Sequence, residues 1–317
     1  MRSFLLRRLA AVPLTLAGVS VLVFLATDVL PGDVGRTVLG REASADSVAA
    51  YNRALGLDDP LWLRYTRWLW HFIGGDWGTS YTLGEPVAAL VRERFAASLG
   101  LALFAFVLLV PVALTAGLVA GARPDTWLDR AVSGLGLALG ATPEFVTGVV
   151  LLVVFSVNLH WFPVSAQPAP GDGPLAVLAR LTLPAISLVL LCTGYVARHV
   201  RASTIAVVEG GYVRAARLRG TPPARILARH VLRNATVPAT SALGVQLQFL
   251  VGGLVVVELL FNYPGIGALL LQSAIDKDVP TLQATAMVLG VAYLSVTLLA
   301  DVAYRLLDPR VRLAAVR

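Results

Sequence analysis

Two acidic residues stand where acids are expensive. Glu144 follows Pro143 inside the apolar stretch 131–158, and Glu258 directly follows the clean apolar run 234–257. A carboxylate in such a place faces a protein interior or a water-filled path. Both are therefore candidates for lining a route through a membrane, with Glu258, Asn262, Pro264 and Gly265 as gate or path residues; the plainer alternative is an interfacial residue at a helix end. The other reactive side chains do not assemble. His71, His160, His199 and His230 are scattered without ligand spacing, so no metal site is expected. Cys192 lies alone in an apolar run, which rules out a disulfide within the chain. No nucleophile–base pairing stands out, so no catalytic residue is assigned. The one lysine, Lys277, sits between Asp276 and Asp278, and the Gly-Lys-Ser/Thr ending of a phosphate-binding loop is missing. An ATPase site of its own is excluded.

The densest cluster of charge is the segment from Glu209 to Pro238, EGGYVRAARLRGTPPARILARHVLRNATVP, between two long apolar runs. Tyr212 to Arg219 are good helix formers. Gly220 suits a helix stop, and Thr221 could cap a second short helix with Pro222 at its first position. Pro238 marks where that helix meets the next apolar run. Ala215 and Ala216 would let another backbone approach closely, while Arg214 and Arg217 offer forked donors to carboxylates or helix ends. The segment reads as a docking knob, against the simpler reading of a basic loop that obeys the positive-inside rule. His230 and Asn234, one helical turn apart, would tie it to the base of the following span.

The elements that position these residues are membrane spans. The 317 residues are 57% hydrophobic and 14% charged, with a mean hydropathy of +0.75, which no ordinary soluble domain tolerates. The net charge of +7 could suggest nucleic acid, but the arginines gather at the ends of apolar runs and form no reading helix. Arg2, Arg7 and Arg8 precede an apolar run from Leu9 to Leu30, long for a signal peptide and ample for an uncleaved span of a roughly 30 Å core. Residues 31–95 form a mixed polar and aromatic loop, in which Trp62, Tyr65, Trp68 and Trp70 fit an amphipathic helix at headgroup level or a lid over an outer mouth. Five spans follow, at about 96–122, 135–158, 175–197, 234–257 and 279–300, with a coupling loop at 198–233. A barrel is excluded, since its strands would alternate at period two. Basic residues on the side of the N-terminus number 17 of 26, which sets both termini in the cytoplasm. The fold class is an all-α polytopic membrane protein of six spans.

The order of these motifs resembles one family. Ala215-Ala216, Gly220, His230, Asn234 and Pro238 are similar to the EAA loop of ABC importer permeases, in the form seen in the dipeptide, oligopeptide and nickel branch, with Arg214 where the name-giving Glu would stand. Leu30-Pro31-Gly32-Asp33, the pieces GLDDPLWLRY and GGDWGTSY, Thr126–Arg130, Ala141–Phe145, His160–Val164, Glu258–Gly267 (Tyr263 replacing a common Trp) and Asp308-Pro309-Arg310 resemble further steps of the same family. Phe95–Leu99 departs from it by lacking a proline. The resemblance implies a type I importer transmembrane domain in a bacterial inner membrane. It also implies a second, homologous permease subunit, two ATP-binding cassette subunits that carry ATP and Mg, and an extracytoplasmic substrate-binding protein. Glu209, Tyr212, Arg214, Ala215, Ala216, Arg217 and Gly220 would then couple to the ATPase. The rivals are a stand-alone secondary transporter or channel, and a polytopic enzyme lacking any visible acid–base constellation.

Overall fold

The computed structural model describes residues 2–29, 34–40, 42–54, 56 and 58–307; at positions 2–9, 34, 37, 38, 223, 224, 228, 230, 233, 236–238 and 304–307 it describes the backbone alone. The Leu30–Asp33 turn and the closing Asp308-Pro309-Arg310 stretch lie outside the described residues. In chain order the elements are α1 (Arg2–Val29), α2 (Val34–Leu39), α3 (Ala45–Ala54), α4 (Leu61–Ile73), α5 (Val87–Ala122), α6 (Trp127–Ala141) and α7 (Glu144–Leu151) with a π-helical end at Leu152–Asn158. Then come α8 (Pro174–Val208), α9 (Gly211–Leu218), α10 (Pro223–Ile226) with a π turn at Leu227–Val231, α11 (Leu232–Leu260), α12 (Ile266–Ile275) and α13 (Val279–Leu307). Among the described residues there is no sheet, only an isolated bridge between Thr79 and Pro86.

Five helices, α1, α5, α8, α11 and α13, are long and apolar enough to cross a membrane, and α6 with α7, bent by 108°, makes a sixth if the pair is counted as one span. The bend falls at Thr142-Pro143, where the proline disfavours helical geometry in the residue before it: Thr142 is extended, with ψ 130°. Other prolines do not break their helices; Pro13, Pro111 and Pro184 sit inside α1, α5 and α8, where neighbouring packing re-satisfies the backbone. Most spans are longer than their apolar runs. The second begins at Val87, nine residues before position 96, because Glu85-Pro86 starts it and Arg92, Glu93 and Arg94 ride on a helix. The fourth runs on to Val208, so the first part of the expected 198–233 loop is helix. The fifth starts at Leu232 and passes through Pro238 without a break, and α13 continues to Leu307.

The chain forms two compact units, Met1–Ser98 with Pro264–Leu294, and Leu99–Tyr263 with Ser295–Arg317. In the first, Val87, Leu90, Val91, Ile266, Leu269 and Ala284 make the core, flanked by Phe72 and Trp77. The C-terminal part of α1 is tied to α4 by Ser20–Tyr65 hydroxyls at 2.8 Å, by Asp28–Arg64 at 2.7 Å and by Phe24 edge-on to Tyr65. It is tied to α13 by Gln283 Nε2 donating to Thr27 Oγ1 at 2.7 Å. The buried Asp278 just before α13 accepts from Tyr81 N–H at 3.1 Å, Thr82 Oγ1 at 3.2 Å, Thr281 Oγ1 at 2.8 Å and the Ser80 hydroxyl. That carboxylate pins residues 80–82 to the α12–α13 turn. Burial, with the Tyr51 hydroxyl and the Asp278 carboxylate, pushes the Tyr81 hydroxyl up to about 12.

In the second unit, α8 is the central helix, packed by α6, α7 and α11. Glycines set the spacing. Gly136 on α6 meets Gly194 on α8 backbone to backbone, and Gly117 and Gly121 on α5 lie against Ala197, Val200, Arg201 and Thr204 on α8. Gly117-x-x-x-Gly121 is the small-residue spacing by which membrane helices approach closely where no hydrophobic drive separates helix from lipid.

Candidate functional site

The segment Glu209–Pro238 folds as a projecting helix with a defined stop. Gly210, extended with ψ 142°, opens α9, and its carbonyl accepts the first bonds from Val213 N–H at 3.0 Å and Arg214 N–H at 3.2 Å. Gly220 takes φ +74°, its N–H bonds to the Arg217 carbonyl at 2.9 Å, and Thr221 N–H bonds to the Ala216 carbonyl at 3.1 Å. That pair of bonds is the Schellman stop, which needs the left-handed residue glycine supplies. Val213 and Ala216, three apart, are buried at 0% and 1% exposure and dock α9 on its own chain. Tyr212, Arg214, Ala215, Arg217, Leu218 and Arg219 face outward, Leu218 at 84%.

This divides the paired alanines. Ala215 is exposed and open to close approach, whereas Ala216 is an anchor. Asn234, on the first turn of α11, donates to the Tyr212 hydroxyl at 3.4 Å and so ties the loop to the base of the fifth span. The side chain of His230 lies outside the described residues. The second helix starts at Pro223, one residue later than expected, and the carbonyl of Pro222 receives Arg225 and Ile226 N–H. Glu209 closes α8 as an exposed residue.

The intramembrane acids part company. Glu144 is the first residue of α7, at the bend, where the positive helix end favours a carboxylate. It is half-buried, and a methyl group at Gly253 of α11 would stand 3.0 Å from its Oε2, so that glycine leaves the carboxylate its room. Glu258, two residues before the end of α11, is wholly buried at 0% exposure. Asn262, at φ +49°, donates to Ser165 Oγ and Gln167 Oε1, both at 3.3 Å, while Ala166 N–H bonds to the Phe261 carbonyl at 2.7 Å. These join the 159–173 loop to the turn after α11, in which Gly265 is buried and Pro264 partly so. Arg180 braces the same loop through Asp172 at 2.8 Å and the Ser165 carbonyl at 3.2 Å. The Ala169 N–H, then Arg180, hold the Asp172 carboxyl below its usual range. Among the described residues no three His, Cys, Asp or Glu side chains are grouped to hold a metal.

Sequence reasoning missed one ion pair on the side of α9. Asp129, buried in the first turn of α6, accepts from both Nε and Nη2 of Arg201 on α8, the latter at 2.7 Å, and from Asp125 N–H at 2.9 Å. The signal available was Thr126, three residues ahead of Asp129, whose hydroxyl caps α6.

Comparison with known proteins gives the family. Residues 113–313 match the family described as the binding-protein-dependent transport system inner membrane component, and residues 1–102 match the N-terminal region of such membrane components. The chain belongs to that family. It is 37% identical over 313 residues to a Brucella abortus protein named for a role as peptide transport system permease, covering 98% of this chain and 99% of that one. It is 34% identical over 316 residues to the glutathione transport system permease protein of Salmonella typhimurium, with the same coverage. The permease is thus a multi-pass membrane subunit of an ABC importer, with the all-α type I transmembrane domain. A stand-alone transporter or channel finds no support.

Proposed function

We propose that this permease, in a bacterial inner membrane with both termini in the cytoplasm, couples ATP hydrolysis on two partner ATP-binding cassette subunits to uptake of peptides or similar small solutes. The observation that carries the coupling is α9: an eight-residue helix stopped at Gly220, anchored by Val213 and Ala216, with its arginines and Leu218 projecting. Such a helix moves as a lever, and the Asn234–Tyr212 bond passes its motion to α11. ATP and Mg belong to the partner subunits. A second, homologous permease subunit completes the path, and an extracytoplasmic binding protein delivers the cargo. The names of the relatives, peptide and glutathione permeases, support the cargo class. The apolar window of α13 is only 6% buried, which leaves surface for lipid or a neighbouring subunit. Glu144, beside Gly253 at the bend, is the path residue best placed to meet a solute; Glu258, five residues further along α11, acts with Asn262, Pro264 and Gly265 as a gate at the C-terminal end of that helix.

Nothing stands within 4 Å of a methyl group at Gly220, so Gly220→Val acts through the backbone alone, costing about 1–2 kcal/mol in left-handed geometry. Uptake in Gly220→Val and in Arg217→Glu falls about tenfold while insertion and ATP hydrolysis persist. Paired uptake and ATPase assays on the reconstituted importer check this; full uptake in both variants at normal abundance would remove the lever.

A further inference from the structure

The first unit carries an open-sided pocket of about 330 Å3 that the coupling mechanism does not use. This is at the lower end of ligand-site sizes, about 300–1,000 Å3. Its walls are aromatic: Phe24, Trp68, Phe72, Trp77 and Tyr81 line it, the first four joined ring to ring at 5.2–5.8 Å. Its charges are unequal. Arg64 is paired with Asp28 at 2.7 Å and Arg67 with Asp59 at 2.8 Å. Asp76, also on the lining, accepts only from Gly78 N–H at 3.2 Å and has no cationic partner among the described residues. An unmatched carboxylate exposed at the edge of these rings favours a cation, above all an ammonium group.

The depth of the cavity says where such an ammonium comes from. Phe24 lies five residues before the end of α1 and Gln283 four residues into α13, so the floor sits roughly 6–8 Å below the ends of two spans. That is the boundary between headgroups and acyl chains, about 5–10 Å deep. The outer face of α4 is set for the same layer: Trp62, Trp70 and Ile73 are 68%, 77% and 72% exposed, the side-chain types that anchor at a membrane interface.

We propose that this cavity binds the ammonium headgroup of a zwitterionic phospholipid of the phosphatidylethanolamine kind, with Asp76 and the ring faces on the ammonium and the outer N–H groups of Arg64 toward the phosphate. The site depends on the chain lying in a membrane and is independent of which solute is transported.

The test is native mass spectrometry of the full chain, purified with its co-purifying subunits, titrated with phosphatidylethanolamine or phosphatidylglycerol of matched acyl chains. Asp76→Asn keeps an acceptor for Gly78 N–H and so keeps the loop. Wild-type protein retains phosphatidylethanolamine in preference to phosphatidylglycerol, and Asp76→Asn lowers that preference about tenfold. Soluble phosphoethanolamine, which shares the headgroup but lacks the acyl chains, does not displace the lipid. Equal retention of the two lipids, wild-type preference in Asp76→Asn, or displacement by phosphoethanolamine would overturn the proposal. So would a photoreactive phenylalanine in place of Trp77 that captures another protein instead of lipid.

Discussion

Gly194→Leu leaves almost no folded permease in the membrane, and Gly194→Ala already lowers its stability by several kcal/mol. A methyl group at Gly194 would stand 2.7 Å from both the Cα and the carbonyl carbon of Gly136. The obstacle is backbone, which cannot rotate away as a side chain would. Overpacking in a well-packed interior costs typically ~1–3 kcal/mol even when side chains can move; here α6 and α8 must part, and α8 is the helix on which α6, α7 and α11 all pack. Two glycines on α6 are the control. Gly134 and Gly140 have nothing within 4 Å of an added methyl group, and alanine is the better helix former, so Gly134→Ala and Gly140→Ala stay within ~0.5 kcal/mol of wild type. Membrane abundance and thermal unfolding in detergent distinguish the two pairs; equal loss in all four would refute the close crossing.

Asp278→Ala is the second large effect. Asp278 is 1% exposed and accepts from Ser80, Tyr81, Thr82 and Thr281, of which Ser80 and Thr281 are themselves buried at 3% and 1%. Alanine leaves these donors without an acceptor, at about 1–3 kcal/mol for each buried group that cannot reach water. The total loss is on the order of 3–5 kcal/mol, concentrated in the 79–86 loop. Asp278→Asn keeps one acceptor oxygen and loses about half as much, because a bond to a charged acceptor is roughly twice as strong as a neutral one. The expected observations are a lower unfolding temperature and new protease cleavage within 79–86, with α9 untouched. Wild-type proteolysis in Asp278→Ala would mean that the carboxylate does not hold the loop.

The spans were legible because lipid demands about twenty apolar residues in a row, and the bend at Pro143 and the stop at Gly220 were legible because proline and glycine act locally. What escaped was set by partners distant in sequence. Asp278 looked like one of two acids flanking Lys277, and nothing local says that Ser80, Tyr81 and Thr82, almost two hundred residues earlier, turn toward it. The start of α5 at Val87 was hidden because a helix that leaves the membrane carries Arg92, Glu93 and Arg94, which read as loop. Ala215 and Ala216 are adjacent and identical in type, and only the fold shows that Ala216 is the one turned inward. The Gly136–Gly194 crossing joins two glycines whose positions in their spans carry no mark of contact.

The most direct test of the coupling role of α9 is a disulfide crosslink from its exposed tip. Leu218 is 84% exposed, unlike the buried Ala216, and the native Cys192 is buried at 1%, out of reach of an external thiol. Cysteine at Leu218, paired with cysteine in the surface groove of the partner ATPase, is oxidised in membranes with and without nucleotide. A disulfide to the ATPase whose yield changes with nucleotide is the expected result. No disulfide to any ATPase, together with uptake that survives ATP depletion, would contradict it.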